Sequence, residues 1–228
     1  MRGRLPLLRR RQSAKTARLR RAGEDNMTTS RIGVVAIALS IAFGFVAAAG
    51  STEDPAKDQD LSGTIASSKR MADGKEWTTA NLNVSTSSSY CYDDAESNCR
   101  QYGRLYAWES AQRVCQSLGD GWRLPTDDEW RQMAKHYGGV GNDSPDKGKA
   151  AYTALLSGGT SGFNAVLGGN RSIDGKYDRL EAHGLYWTVS ENDPITAPFY
   201  KFGKGSQALY RQTQGQKQMA VSVRCIRE

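Results

Sequence analysis

The chain has 228 residues, with 31 basic and 24 acidic side chains and a formal charge of +7. Residues 1–26 hold nine of the basic residues against Glu24 and Asp25 alone, so this tail carries the whole excess and the remainder is neutral. That distribution argues against a basic nucleic-acid-binding face on the folded part. A composition of 38% hydrophobic and 24% charged residues excludes a disordered, collagen-like or multi-span chain.

Behind the basic tail of residues 1–31, residues 32–50 (IGVVAIALSIAFGFVAAAG) contain no charge. Their end, Ala47-Ala48-Ala49-Gly50, has the small-x-small pattern of a signal-peptidase site after Ala49. A secretory signal normally has a short preface, and Met27-Thr28-Thr29-Ser30-Arg31 supplies a compact positive one. Two readings stand: a cleaved signal peptide whose true start is Met27, or, from Met1, a transmembrane anchor with its basic tail held in the cytoplasm. Both put the chain after Gly50 outside the cytoplasm: secreted, periplasmic or at the cell surface. Residues 51–68 (STEDPAKDQDLSGTIASS) have almost no large apolar side chains and read as a flexible linker. Residues 69–228 are long enough for one domain with its own core.

Four cysteines, an even number in an exported chain, argue for disulfides. Cys91 and Cys99 flank a short polar turn, and joining them leaves Cys115 to Cys225. A zinc site would need two tight ligand pairs, whereas the cysteines are spaced by eight, sixteen and 110 residues with His136 and His183 adjacent to none. Residues 106–118 carry Ala107, Ala111, Val114, Cys115 and Leu118 on one helical face that ends at Gly119. Thr126-Asp127-Asp128-Glu129 is a capping box that opens a second helix with Trp130, Met133, Ala134 and Tyr137 as its buried stripe. Residues 149–156 suggest a third, short helix.

Strand-like runs rich in aromatic and β-branched residues fall at 77–84, 103–107, 185–190, 199–202, 208–212 and 219–226. In the last run Met219, Val221, Val223 and Cys225 alternate with Ala220, Ser222 and Arg224, which predicts Cys225 facing the core. Residues 157–184 are glycine-rich and aperiodic, a long loop of the kind that usually carries function. The order of elements predicts an α+β fold, with two main helices packed on antiparallel sheets and a long glycine-rich loop.

Four blocks then resemble a known family. Trp77-Thr78-Thr79-Ala80-Asn81-Leu82-Asn83-Val84 looks like the W-x-x-x-N-L-N opening of the Fibrobacter succinogenes major paralogous (FISUMP) domain. Tyr90-Cys91-Tyr92-Asp93-Asp94, Cys99 and the stretch from Tyr102 to Trp108 resemble its second block. Gly121-Trp122-Arg123-Leu124-Pro125-Thr126-Asp127-Asp128-Glu129-Trp130 resembles its most specific motif, shared with the sulfatase-modifying (formylglycine-generating) superfamily. Tyr186-Trp187-Thr188 and Ser222-Val223-Arg224-Cys225 are similar to the closing blocks. The resemblance implies a C-type-lectin-like fold in which a cysteine of the first long helix joins one in the final strand, and Cys115 and Cys225 occupy those positions.

The same resemblance bears on chemistry. The enzymatic relatives oxidise a substrate cysteine with a reactive, copper-binding cysteine pair, and two bridges here leave no such pair. The sequence lacks G-x-S-x-G, a phosphate-cradling loop and His-rich metal spacing. It also lacks the Glu-Pro-Asn, Gln-Pro-Asp and Trp-Asn-Asp motifs by which sugar-binding C-type lectins hold calcium. Glu191-Asn192-Asp193 offers oxygen ligands of the kind calcium prefers, and equally the polar residues of a turn ahead of Pro194. The expectation is no catalytic residue and no cofactor, with calcium on those three residues as the alternative.

Ligand contacts are expected from Arg171, Asp174 and Asp178 in the long loop, from Glu191, Asn192 and Asp193, and from Tyr186 as a stacking ring. Asp174 and Asp178 equally suit a plain solvated loop. The function expected is an exported, non-enzymatic ligand-binding or adhesion module of the cell envelope; the alternative is a divergent formylglycine-generating-type enzyme. The partner expected is an extracellular glycan or an envelope protein, not nucleic acid, with membrane contact only through residues 32–50 if they stay uncleaved. N-terminal sequencing of the exported protein should begin near Gly50 or Ser51 if the segment is cut, and at Met1 or Met27 in a membrane fraction if it is an anchor. Recovery of the intact chain as soluble cytoplasmic protein would contradict both.

Overall fold

The computed structural model describes residues 67–228 other than Asp120. The basic tail, the apolar segment 32–50 and most of the linker lie outside the described residues. β1 (Ser68–Arg70), β2 (Glu76–Thr78) and β10 (Ile226–Arg227) form an antiparallel sheet in the order β1-β2-β10. β3 (Ser89–Tyr90) pairs with β4 (Leu105–Tyr106). The largest sheet has the order β6-β5-β7-β8-β9, built from β5 (Gly168–Arg171), β6 (Tyr177–Leu180), β7 (His183–Trp187), β8 (Thr196–Gly203) and β9 (Ala208–Gln216). Its pairs are antiparallel except β5 with β7, which meet at Gly169 and Gly184. A Cβ on Gly169 would stand 2.5 Å from the Asp178 carbonyl oxygen, and one on Gly184 2.4 Å from that of Val166, so this parallel contact closes only on glycine.

Among the described residues four α-helices accompany these sheets: α1 (Glu96–Tyr102), α2 (Trp108–Gln116), α3 (Asp127–Lys135) and α4 (Lys149–Leu155). The architecture is α+β, as the order of elements predicts. The capping box of α3 is present in both halves: Thr126 Oγ1 accepts from the Glu129 N–H at 3.1 Å, and the Glu129 carboxylate accepts from the Thr126 N–H at 2.8 Å. Arg123 also grips the Glu129 carboxylate through two hydrogen bonds of 2.7 and 2.6 Å. Burial pushes that carboxyl up, but the bonds from Arg123 and Thr126 outweigh it and hold it at about 2.

Two apolar clusters form the core. One gathers Trp77, Trp130, Phe163, Tyr186, Tyr200 and Phe202 around an aromatic stack in which Trp130 lies on Tyr200 with centroids 5.0 Å apart. The other packs α2, through Ala111, Val114 and Cys115, against Tyr106, Trp187, Val221 and Val223. Both disulfides, Cys91–Cys99 and Cys115–Cys225, are formed as the spacing predicts.

Four expectations need correction. The loop 157–184 contains a hairpin, β5–β6, whose residues Gly168-Gly169-Asn170-Arg171 and Tyr177-Asp178-Arg179-Leu180 show no apolar alternation to read. The polar turn between Cys91 and Cys99 includes the start of α1, a third helix ahead of the two main ones. The run 77–84 is strand only to Thr78. The run 219–226 is not a half-exposed strand: Cys225 is buried, but so are Ala220, Ser222 and Arg224 on the alternate positions. The reason is that this segment passes between other elements on all sides. Ala220 exchanges both backbone hydrogen bonds with Arg171, and Val221 both with Tyr106. The Ser222 N–H donates to the Leu185 carbonyl, Val223 accepts from the Leu82 N–H, and Cys225 accepts from the Thr78 N–H.

Arg224 has no exposed surface. Its guanidinium donates to Asn81 Oδ1 at 2.7 Å and to the carbonyls of Thr78 (2.9 Å), Phe163 (2.6 Å) and Asn164 (2.7 Å). Its plane lies 4.5 Å from the Phe163 ring centroid. Burial lowers the group to about 10, which leaves it charged at neutral pH. Arg224→Met keeps the apolar stem and strips four acceptors of their donor, the Thr78 and Phe163 carbonyls in buried bonds, so it should cost about 3 kcal/mol or more. Urea unfolding of the two proteins measures this; a loss below about 1 kcal/mol, within the net worth of one ordinary hydrogen bond, would show that the guanidinium is not a structural anchor.

Candidate functional site

The β5–β6 hairpin turns at residues 172–176, where the Ser172 N–H donates to the Lys176 carbonyl at 2.8 Å and the Gly175 N–H to the Ser172 carbonyl at 3.0 Å. Gly175 sits at φ +87°, the left-handed conformation that the Asp174-Gly175 pair supplies. This turn lifts Ile173 into solvent, 53% exposed. A second turn, 190–196, faces the hairpin. In it the Asp193 carboxylate accepts from the backbone N–H groups of Ile195 and Thr196 and from the Thr196 hydroxyl, each at 2.7 Å. These bonds hold Asp193 below the usual carboxylate range and leave Ile195 68% exposed. Between the two turns lies a cleft of about 660 Å³, walled by the first turns of α2 and by Gln216, Lys217 and Gln218.

The charges around the cleft are unevenly satisfied. Glu109 and Arg113 pair with each other at 3.7 Å along α2. Lys217 pairs with Glu191, donates to the Asp193 carbonyl at 2.9 Å and lies 4.4 Å above the Trp108 ring. Arg171 is different: among the described residues no carboxylate stands within 4.0 Å of it. Its guanidinium stacks 4.2 Å from the Tyr90 ring centroid and 5.7 Å from that of Tyr177. The nearby Asp94 carboxylate accepts the Tyr177 hydroxyl at 2.5 Å and makes no ion pair with Arg171. Burial and that hydrogen bond push the Tyr177 phenol up to about 12, so it remains a donor.

Of the residues that the sequence marks out, Arg171 lines the cleft, and the turn carrying Glu191, Asn192 and Asp193 borders it through Pro194 and Ile195. Asp174 sits on the hairpin tip paired with Lys176 at 2.8 Å, and Asp178 accepts from Ser172 Oγ at 3.1 Å, so both serve the hairpin. Tyr186 is corrected outright. It is fully buried, its hydroxyl donates to the Val166 carbonyl at 2.8 Å, and its ring packs against Phe202 and Trp130. β7 is buried on both faces from Gly184 to Trp187, so Tyr186 offers no stacking surface. Among the cleft residues that the sequence reading misses are Tyr90, Arg113, Ile173, Ile195 and Lys217. The signal for two of them is plain in retrospect: Ile173 and Ile195 are lone large aliphatics inside polar turns, Ser172-Ile173-Asp174-Gly175 and Asp193-Pro194-Ile195-Thr196.

Glu191, Asn192 and Asp193 each have partners within the protein. Asp193 has both oxygens committed to its own turn, Glu191 is held by Lys217, and the Asn192 amide donates to the Thr213 carbonyl. A separate group of metal-ligand type, Cys91, Glu96 and Cys99, has both sulfurs joined in the disulfide and so offers no thiolate. Among the described residues no helix is long and apolar enough to cross a membrane.

The block order, the paired cysteines and this α+β frame define a family-type domain rather than a composite. The chain belongs to the Fibrobacter succinogenes major domain family, whose model matches residues 65–227. No curated protein and no solved structure matches the chain. The geometry of the second turn gives a direct check on the role of Asp193. Asp193→Ala should lower the melting temperature by the same amount with and without added calcium, because the lost bonds are internal to the turn. A calcium-dependent rise in the wild type that this variant abolishes would favour calcium on this turn.

Proposed function

We propose that this protein is an exported, non-enzymatic ligand-binding or adhesion module of the cell envelope, and that the cleft between the β5–β6 hairpin and the turn 190–196 is its binding site. The observation that carries this reading is convergence. Two separate turns present exposed isoleucines, and the first strand of the hairpin an arginine with no described carboxylate within 4.0 Å, to one cavity walled by α2 and residues 216–218. Exposed aliphatic side chains flanking a polar cleft offer apolar contact to a ligand seated there. Binding residues also concentrate on loops held by a braced scaffold.

Export is supported by two disulfides, which persist in oxidising compartments. The C-type-lectin-like fold is part of the proposal and rests on the bridge from α2 to the C-terminal segment. The absence of catalysis rests on cysteine chemistry. A sulfur tied in a buried bridge is not a low-pKa nucleophile, and Cys115 and Cys225 are both fully buried.

The test uses isolated cell envelopes from the producing organism and the purified exported chain. The wild type should be retained on envelopes, and Ile195→Asp, which alters only an exposed side chain, should reduce retention about tenfold or more while the melting temperature holds. Equal retention of the variant would remove the cleft as the site. Copper-dependent oxidation of a cysteine-containing peptide by the wild type would overturn the non-enzymatic reading in favour of the formylglycine-generating one.

A further inference from the structure

The ligand class is written in the way the cleft is charged and surfaced. Arg171 is fixed from both sides: its backbone exchanges two hydrogen bonds with Ala220, at 2.9 and 2.8 Å, and its guanidinium lies on the Tyr90 ring. A planar cation held in one orientation has little rotamer freedom left to lose when it forms hydrogen bonds. The other cations that line the cleft have partners, Arg113 in Glu109 and Lys217 in Glu191. The cleft therefore carries one cation with no described carboxylate at ion-pair distance, which one monoanionic group matches. A carboxylate fits the fork of a guanidinium through two parallel N–H···O bonds.

The apolar features separate a peptide from a saccharide. Sugar rings are gripped by stacking on open aromatic faces, and the cleft has none to offer. The Tyr90 face is taken by Arg171 at 4.2 Å, and Trp108 is 7% exposed beneath the Lys217 ammonium. What faces solvent instead are two aliphatic side chains, Ile173 and Ile195, one on each turn. Branched aliphatic surface on both sides of a guanidinium suits a chain with an acidic side chain between apolar neighbours.

We propose, building on the reading of this cleft as the binding site, that it captures a protein ligand by seating an aspartate or glutamate carboxylate on the Arg171 guanidinium, with aliphatic residues flanking that carboxylate packed on Ile173 and Ile195. Arg171 and the two isoleucines are thus the specificity-determining residues, and the envelope partner displays an acidic residue within a short apolar segment.

The full exported chain is applied to an array of short peptides with Asp or Glu between Leu and Val residues, their Asn and Gln counterparts, and uronic-acid and neutral oligosaccharides. The wild type should bind acidic over amide peptides by about tenfold or more, the scale of a charge-assisted pair. Arg171→Gln should bring the two to parity, and Arg171→Lys should keep only part of the preference because it loses the fork. Ile195→Asp, at an exposed position, should abolish retention of acidic peptides by placing a like charge beside the seat, which keeps the test valid if the Arg171 variants fail to fold.

Acidic and amide peptides bound equally by the wild type, or a preference that survives Arg171→Gln, would overturn the Arg171 seat. Retention of uronic-acid sugars with no retention of peptides would overturn the peptide class. Retention of no probe would overturn the ligand assignment, and the envelope assay with Ile195→Asp then shows by itself whether the cleft stands as the binding site.

Discussion

A guanidinium with no exposed surface ties together three stretches of chain that have no continuous ladder of their own. Arg224 reaches the Thr78–Asn81 segment on one side and the carbonyls of Phe163 and Asn164 on the other, while its backbone continues a segment bonded to Arg171, Tyr106 and Leu185. Buried carbonyls in irregular segments must find donors within the protein, and an arginine supplies several from one point. The arrangement tolerates a buried charge because neutral acceptors surround it and aromatic faces lie against it. With the C-terminal segment fixed, the three-stranded sheet, the five-stranded sheet and α2 acquire their relative places, and Cys225 arrives opposite Cys115.

That dependence explains which parts of the fold the sequence reveals. Local rules decide α3, where the capping box, the acidic first turn and the stripe Trp130, Met133 and Ala134 all act within ten residues. They also decide the cysteine pairs, since Cys91 and Cys99 can reach each other across a single turn. They fail at 219–225, where a period of two predicts one buried face and the chain has two. Alternation reports burial on one side only when the other side meets water, and here Ser222 and Arg224 meet protein. The β5–β6 hairpin is hidden for a related reason. Its strands are held by backbone pairing and by glycine contacts rather than by an apolar face, so only the Asp174-Gly175 pair announces it.

The candidate site was legible in part for the same physical reason. Polar residues in turn-like sequence point to the right two turns, but not to the role each residue plays within them. Asp193 and Asp178 direct their oxygens back into their own turns, Asp174 pairs within its hairpin and Glu191 with Lys217, so the acidic residues build the walls. What the acidic residues leave unpaired is Arg171, which stacks on Tyr90 with no described carboxylate at ion-pair distance, beside the two exposed isoleucines. The sequence leaves Tyr186 open to the site because a strand residue faces outward or inward with equal local justification, and only the packing against Trp130 and Phe202 decides.

The Cys115–Cys225 bridge closes a covalent loop spanning 110 positions, and both exposed turns lie inside it. Proteases cut at exposed loop tips such as 172–176 and 190–196. A cut at either place divides the polypeptide into one piece bearing Cys115 and another bearing Cys225, which stay joined through sulfur. Nicking at the very turns that form the cleft therefore leaves a single covalent molecule, and its pieces separate only where a reductant is present as well.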